Sequence, residues 1–277
     1  MVRETTLAEL QEIANQLRLD VVKMVHDAKD GHPGPAFSVA DIITTLYFKE
    51  LNIDPQNPHW EDRDRFILSK GHACPVLYAA LARRGYFPTE EFAGLRRLGC
   101  LLQGHPCMKK TPGIDATSGS LGNGLSIGVG MAIAAKYRKK AYYTYVVLGD
   151  GEIQEGIVWE AAMCAKKYQL NNLIAFVDNN GWQSGDSVDK VSGLLPILPK
   201  WEAFGWHCQT IDGHDFSQII SAIANAKKAG APSVIIAKTI KGKGLDYMEN
   251  DNSWHKRVPD DSQLAIALKV LGGAANE

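Results

Sequence analysis

The sequence predicts an α/β fold: a doubly wound, mostly parallel sheet with helices on both faces. Three observations predict it. Short runs rich in Val, Ile and Leu alternate with helix-length segments from residue 125 onward. Those runs are apolar throughout rather than at every second position, as strands covered on both faces are. Two of them, Val146-Val147-Leu148 and Leu173 to Val177, end in oxygen-bearing side chains, and one helix length separates them.

Taken in order, Leu7, Leu10, Ile13, Leu17 and Val21 recur at helical spacing and predict an opening amphipathic helix. The loop Asp30-Gly31-His32-Pro33-Gly34-Pro35 ends it, and Ser38 with Asp41 has the spacing of a capping box for a helix through Tyr47. Phe66-Ile67-Leu68 is expected as a short buried strand, followed by a helix over 76–84 that Gly85 stops. The stretch 99–124 is rich in Gly, Ser, Thr and Pro, and its length favours a functional loop. Helices are then expected over 125–139, 157–168 and 216–229, and strands over 143–148, 173–177, 206–211 and 233–238. A short helix follows Pro259, and a polar tail runs over 272–277. No linker or internal repeat divides the chain, so residues 1–277 are expected to form one domain.

Composition narrows the function. A formal net charge of -1 over 277 residues implies no basic face, which argues against nucleic acid or an anionic membrane as partner. The apolar run 126–135 is too short to span a bilayer. Met-Val-Arg-Glu-Thr-Thr has no apolar core, so no secretion signal is expected at the N-terminus. The five cysteines form no CxxC pair, and their number is odd. That pattern favours free thiols in a reducing cytoplasm.

The chemistry concentrates in loops. In a parallel sheet ligands bind beyond the carboxyl ends of the strands, where Gly149-Asp150-Gly151-Glu152 and Asp178-Asn179-Asn180 are expected to lie. One carboxylate, one amide and a nearby backbone carbonyl suit magnesium already partly neutralised by a diphosphate. Gly149 and Gly151 allow close backbone approach, and Gly119-Ser120-Leu121-Gly122-Asn123-Gly124 offers a second cradle of N–H groups. No GxxxxGK[ST] occurs, and Lys241-Gly242-Lys243-Gly244 lacks Walker spacing, so that run is expected to be a mobile loop on the substrate side. His32, His72, His105 and His255 all fall in loops, without zinc-site spacing or an HExxH motif. Around a polar pocket they could move protons and bind hydroxyls. His26, His59, His207 and His214 have weaker contexts and are taken as structural or surface residues. Glu155, at the start of a helix, is either a helix-terminal charge complement or a member of a buried proton network at a subunit interface.

The ordered set Gly31-His32-Pro33-Gly34, Leu68 to Ala73, Gly104-His105-Pro106, Gly119 to Gly124, Gly149 to Glu152, Glu155-Gly156, Asn172 to Asn180, Lys238 to Gly244 and Trp254-His255 resembles the transketolase family, in its N-terminal thiamine-diphosphate-binding part. The resemblance covers essentially the whole chain. It implies a divalent ion, magnesium with calcium or manganese as substitutes, held by Asp150, Asn180 and the Trp182 carbonyl. It places Gly119, Gly151 and His72 near the diphosphate and Leu121 near the cofactor rings. His32, His72, His105 and His255 would line the substrate channel, and Glu155 would link paired active sites. The implied reaction is transfer of a two-carbon ketol unit between sugar phosphates in the cytoplasm, within the pentose phosphate pathway. A complementary C-terminal subunit would supply the pyrimidine-binding part, in an α2β2 heterotetramer. The sequence departs from the family pattern at Gln183-Ser184-Gly185-Asp186, Lys256 and Cys107, all expected near the substrate side. Two alternatives stay open at this point: a subunit of another thiamine-dependent enzyme acting on unusual sugars, and a non-catalytic cofactor-binding protein.

Overall fold

The computed structural model describes residues 5–272; the tail beyond Gly272 lies outside them. Five parallel strands form the sheet: β1 (Arg65–Leu68), β2 (Thr144–Gly149), β3 (Leu173–Asn179), β4 (His207–Asp212) and β5 (Ser233–Lys238). Their order is β1-β2-β3-β5-β4, so the chain passes over β5's place to lay down the edge strand first. The alternation along the strands divides the core. Tyr145, Val147, Ile174, Phe176 and Ile235 face one layer, and Val146, Leu148, Ala175, Val177 and Ile236 the other.

The first layer is built from α1 (Leu7–Ala28), α2 (Pro33–Ser38), α3 (Ala40–Thr45), α4 (Cys74–Arg84), α9 (Phe216–Lys228) and α10 (Asp261–Leu271). The second contains α5 (Asn123–Tyr137), α6 (Gly156–Lys167), α7 (Val188–Ser192) and α8 (Leu198–Ala203). The expected strands and long helices are all present within a few residues of their predicted limits. Residues 95–122 hold no helix or strand, as the Gly- and Pro-rich composition predicts. Among the described residues no helix is long and apolar enough to cross a membrane, and all five cysteines are free.

Two expectations fail. Ser38 and Asp41 form no capping box: α3 starts at Ala40 after Val39, without a side-chain cap. Ser38 instead donates to Asp178 at 2.6 Å, and Asp41 pairs with Arg18 at 2.6 Å. Distant charged partners outcompete the local turn. The Lys241–Gly244 run is also not a free-standing loop. Lys241 is fully buried, Gly242 donates to the Gly34 carbonyl at 3.2 Å, and Gly244 donates to Glu249 at 2.8 Å. A side chain added at Gly242 would meet the Met248 carbonyl oxygen at 2.4 Å, so glycine is needed there for packing as well as for its φ of +80°.

Candidate active site

The carboxyl ends of β1, β2, β3 and β5 open on a cavity of about 330 Å³. Strand register explains its floor. Gly149 pairs with Asp178 across β2 and β3, so Asp150, one residue further on, stands next to the Asp178 carboxylate. Both are buried. Asp178 accepts from Ser38, Lys70, Asn180 and Thr239. Burial opposes its ionisation, but the Lys70 ammonium and these donors outweigh burial and hold the carboxyl below its usual range.

Asp150 is in the opposite condition. Its oxygens accept only from the backbone N–H groups of Gly151 at 2.8 Å and Gly181 at 2.6 Å. Burial, reinforced by the negative charge of Asp178, pushes it up to about 7. A buried carboxyl with no cation hydrogen-bonded to it suits a metal ion. Asn180 shares the site: its amide nitrogen donates to Asp178 at 2.9 Å, so its oxygen is aimed away from that carboxylate and accepts from the Trp182 N–H at 3.0 Å. Among the described residues no three His, Cys, Asp or Glu side chains converge as a metal cluster. Amide and carbonyl oxygens would therefore complete the shell, and an oxygen-rich set of this kind suits magnesium rather than a softer ion.

Phosphate would meet backbone N–H groups and two buried lysines. Glu152 ties the cradles together, accepting from Ser69, from the Gly122 N–H at 2.8 Å and from the Gly149 N–H at 3.0 Å. Gly122 adopts φ +82° just before α5, and a side chain there would strike Glu155 at 2.9 Å. A side chain at Gly151 would meet Gln183 at 2.8 Å. Lys70 and Lys241 both line the cavity. Burial, then the nearby Lys70 charge, lowers Lys241 to about 8, which leaves it mainly protonated at neutral pH. Two cationic side chains, a cation-seeking carboxyl and close-packed glycines at Gly122 and Gly151 fit a metal–diphosphate group.

Three of the four loop histidines come together. The rings of His32, His72 and His255 lie 5.1–5.6 Å apart, centroid to centroid. Burial, then Arg96, lowers His32 to about 4; burial, then Lys241, lowers His255 to about 3. Burial, then Lys70, also drives His72 well below its usual value. All three are neutral imidazoles at pH 7, each with one N–H donor and one acceptor nitrogen. His105 does not line the cavity with them. It is exposed and packs its ring beside Gly119, where an added side chain would come within 3.2 Å. Gly119, Leu121, Glu155 and Trp182 all line the cavity, with Glu155 exposed just before α6. Lys70, Asp178, Lys241 and Gln183 also belong to the site: each lies in a stretch that the sequence places at a strand end or on the substrate side, but none is assigned a role there. Asp178 closes an apolar strand, and Lys70 sits between Ser69 and Gly71 at the end of another.

Fold and site together define an α/β domain whose strand-end cavity fits a metal–diphosphate group. Residues 9–275 match the family model described as transketolase, thiamine diphosphate binding domain. The chain belongs to the transketolase family. It is 46% identical over 264 residues to the 6-deoxy-6-sulfo-D-fructose transketolase subunit SqwG of Clostridium sp. (strain MSTE9), covering 95% of this chain and 96% of that protein. It is 40% identical to one of the subunits of the apulose-4-phosphate transketolase of Phocaeicola vulgatus, covering 95% and 93%. The crystal structure of transketolase from Campylobacter jejuni superposes with a TM-score of 0.93 at 34% identity, covering 97% of this chain but 43% of that one. The chain thus spans nearly the full length of separate subunits and less than half of a single-chain transketolase.

Proposed function

We propose that this chain is the diphosphate-binding subunit of a split transketolase, which moves a two-carbon ketol unit from a ketose donor to an aldose acceptor. The observation that carries the reading is the convergence on one cavity of Asp150, Asn180, two buried lysines and three neutral histidines. Asp150, Asn180 and the Trp182 carbonyl would hold magnesium, or calcium or manganese in its place. Lys70, Lys241 and the N–H groups around Gly119, Gly122 and Gly151 would face the diphosphate, and Leu121 the rings. When bound, thiamine diphosphate supplies the carbon nucleophile that breaks and remakes the bond beside the ketose carbonyl. The chain's own task is placement, water exclusion and proton handling. His32 and His72, held neutral, can accept from one hydroxyl and donate to another, and His255, whose Nδ1 is taken by Lys241, presents its Nε2–H to a substrate oxygen. His105, beside Gly119, would meet the donor sugar at the edge of the cavity.

A complementary subunit carrying the pyrimidine-binding part would close the site, in an α2β2 assembly working in the cytoplasm on sugar phosphates of pentose metabolism. Support for a protein partner comes from α5, which is apolar around most of its circumference and leaves Ile127 exposed. Leu121 just before α5 and Met163 on α6 are exposed beside it, and Glu155 is exposed at the same end. Acceptor choice would rest on the positions that depart from the family pattern. Lys256 lies 3.7 Å from Asp30, which also pairs with Arg96 at 2.9 Å, so a second cation stands beside His32. One relative is named for a sulfonated sugar and another for a sugar phosphate; a substrate sugar with an anionic end suits that cluster.

The test is to purify the chain with the subunit that co-purifies from its native host and to assay ketol transfer over a panel of donors and acceptors. Turnover that requires both subunits, thiamine diphosphate and a divalent ion is expected. A chain that isolates alone, with no turnover in any combination, would sink the split-enzyme reading. Asp150→Ala should abolish metal-dependent retention of the cofactor; retention unchanged in that variant would remove Asp150 from the metal site.

A further inference from the structure

Outside the cavity, a buried network ends on one of its lysines. His214 lies between β4 and α9, in a separate cleft lined also by Thr210, Asp212, Lys238 and Thr239. Its Nε2 accepts the backbone N–H of Ile240 at 2.8 Å. An amide can only donate, so the ring hydrogen is on Nδ1, which donates to Asp41 at 2.7 Å. Asp41 is gripped from its other side by both terminal nitrogens of Arg18, at 2.9 and 2.6 Å. The Arg18 and Asp41 side chains are 3% and 4% exposed, so the clamp is anchored in the core between α1 and α3.

The Ile240 N–H is held at the point where the chain leaves β5. Thr239, the residue before, donates through its N–H to the Asn179 carbonyl and through its hydroxyl to Asp178. The next residue, Lys241, extends its ammonium to Asn252 at 2.7 Å and to His255 Nδ1 at 3.0 Å. An ammonium also only donates. His255 Nδ1 is therefore the acceptor, and its hydrogen is on Nε2. One imidazole thus fixes the backbone of the residue preceding the lysine that sets the tautomer of a second imidazole.

We propose that His214 is a positioning residue, which holds the Ile240–Lys241 backbone so that Lys241 keeps His255 in its Nε2–H form. This rests on the reading of His255 as a proton-handling residue in ketol transfer. Two near-isosteric replacements separate the two bonds His214 makes. His214→Gln can place an oxygen where Nε2 stands and keep the Ile240 bond. His214→Asn places its amide near Nδ1, keeping a partner for Asp41 but losing the bond to Ile240.

The variants are to be compared in the complex with the partner subunit by kcat and donor KM, and as the isolated full chain by ring-nitrogen NMR of the histidines. His214→Asn is expected to lower kcat about tenfold, the scale of a lost outer-shell contact, with donor KM within about twofold of the parent. It should also shift the His255 ring-nitrogen signals away from a pure Nε2–H tautomer, and His214→Gln should restore both readouts. Equal behaviour of the two variants, or unchanged His255 signals in His214→Asn, overturns the proposal. Should His214→Asn fail to fold, the parent chain still decides. Nδ1–H on His214 and Nε2–H on His255 are required, and the opposite tautomer at either ring overturns the assignment. The NMR readout needs no turnover, so a failed ketol-transfer assay would count against the proposed function and leave the coupling separately testable.

Discussion

Lys70 and Asp178 provide the most direct test of how the floor of the site is held. Both are nearly or fully buried, and the ammonium donates to the carboxylate and to the Pro35 carbonyl at 3.0 Å. Lys70→Met leaves Asp178 with three neutral donors, those of Ser38, Asn180 and Thr239, and no hydrogen-bonded cation. Breaking a buried pair from one side costs ~3–5 kcal/mol. Asp178→Asn, the converse change, leaves an ammonium with one protein carbonyl and should cost about the same by that scale. With both changed, no uncompensated charge remains, and what is lost is hydrogen bonding and shape. The double variant should therefore fall short of the sum of the two single losses by ~2–3 kcal/mol. Urea unfolding of the chain without cofactor, followed by tryptophan fluorescence, gives each free energy by linear extrapolation. Losses that add to within ~0.5 kcal/mol would show that the two charges do not compensate each other, and that Lys70 is not what keeps Asp178 ionised.

Two further outcomes follow from the same structure. His32 and His255 are neutral and held at about 4 and about 3, below the ordinary histidine value of 6.5, so between those limits the unfolded chain binds more protons than the folded one. Stability should then fall on acidification, by ~1–2 kcal/mol per pH unit below pH ~6.5, and changing both residues to glutamine should flatten that slope in denaturant midpoints measured from pH 7.5 to 5; an equal slope in the variant refutes the assignment. Gly34→Ala would place a methyl 2.7 Å from the Trp254 carbonyl oxygen, against backbone one residue from His255. A loss of ~1–3 kcal/mol and weaker substrate binding are expected, by urea unfolding and donor KM, and a neutral outcome in both would show that this contact does not set the histidine's place.

Much of the fold is legible in the sequence because its signals are local. Apolar strands, helical spacing and glycine stops survive in any context, and they mark the strands and long helices to within a few residues. The order of the strands is not legible. β5, Ser-Val-Ile-Ile-Ala-Lys, is more apolar than β4, His-Cys-Gln-Thr-Ile-Asp, which marks β4 as an edge strand, but nothing in either says that the later one inserts beside β3. Ser38 and Asp41 have the spacing of a cap but are taken by Asp178, Arg18 and His214, partners that only the folded chain brings near. The Lys241 loop misleads for a related reason: glycines that signal freedom in a sequence also signal close packing, and here they press against Met248 and Gly34. His105 shares a Gly-His-Pro context with His32, and that context fixes a turn but not whether the ring lines the cavity.

The two carboxylates show where sequence reasoning runs out and structure takes over. Asp150 and Asp178 each close an apolar strand, and the sequence offers no reason to choose between them beyond the flanking glycines of the first. In the fold they have divided two roles. Asp178 carries a lysine and three further donors, which leaves little of its acceptor capacity for a metal. Among the described residues Asp150 has two backbone donors and no hydrogen-bonded cation, and it also feels the charge that Asp178 retains. The pair on the floor thus makes Asp150 more receptive to a cation, because a neighbouring negative charge that Lys70 does not fully cancel raises the gain from binding one. On this reasoning Lys70 and Asp178 form the base against which the proposed metal-binding carboxylate, Asp150, is set, and the metal site would require both carboxylates, although a cation would bind only one of them.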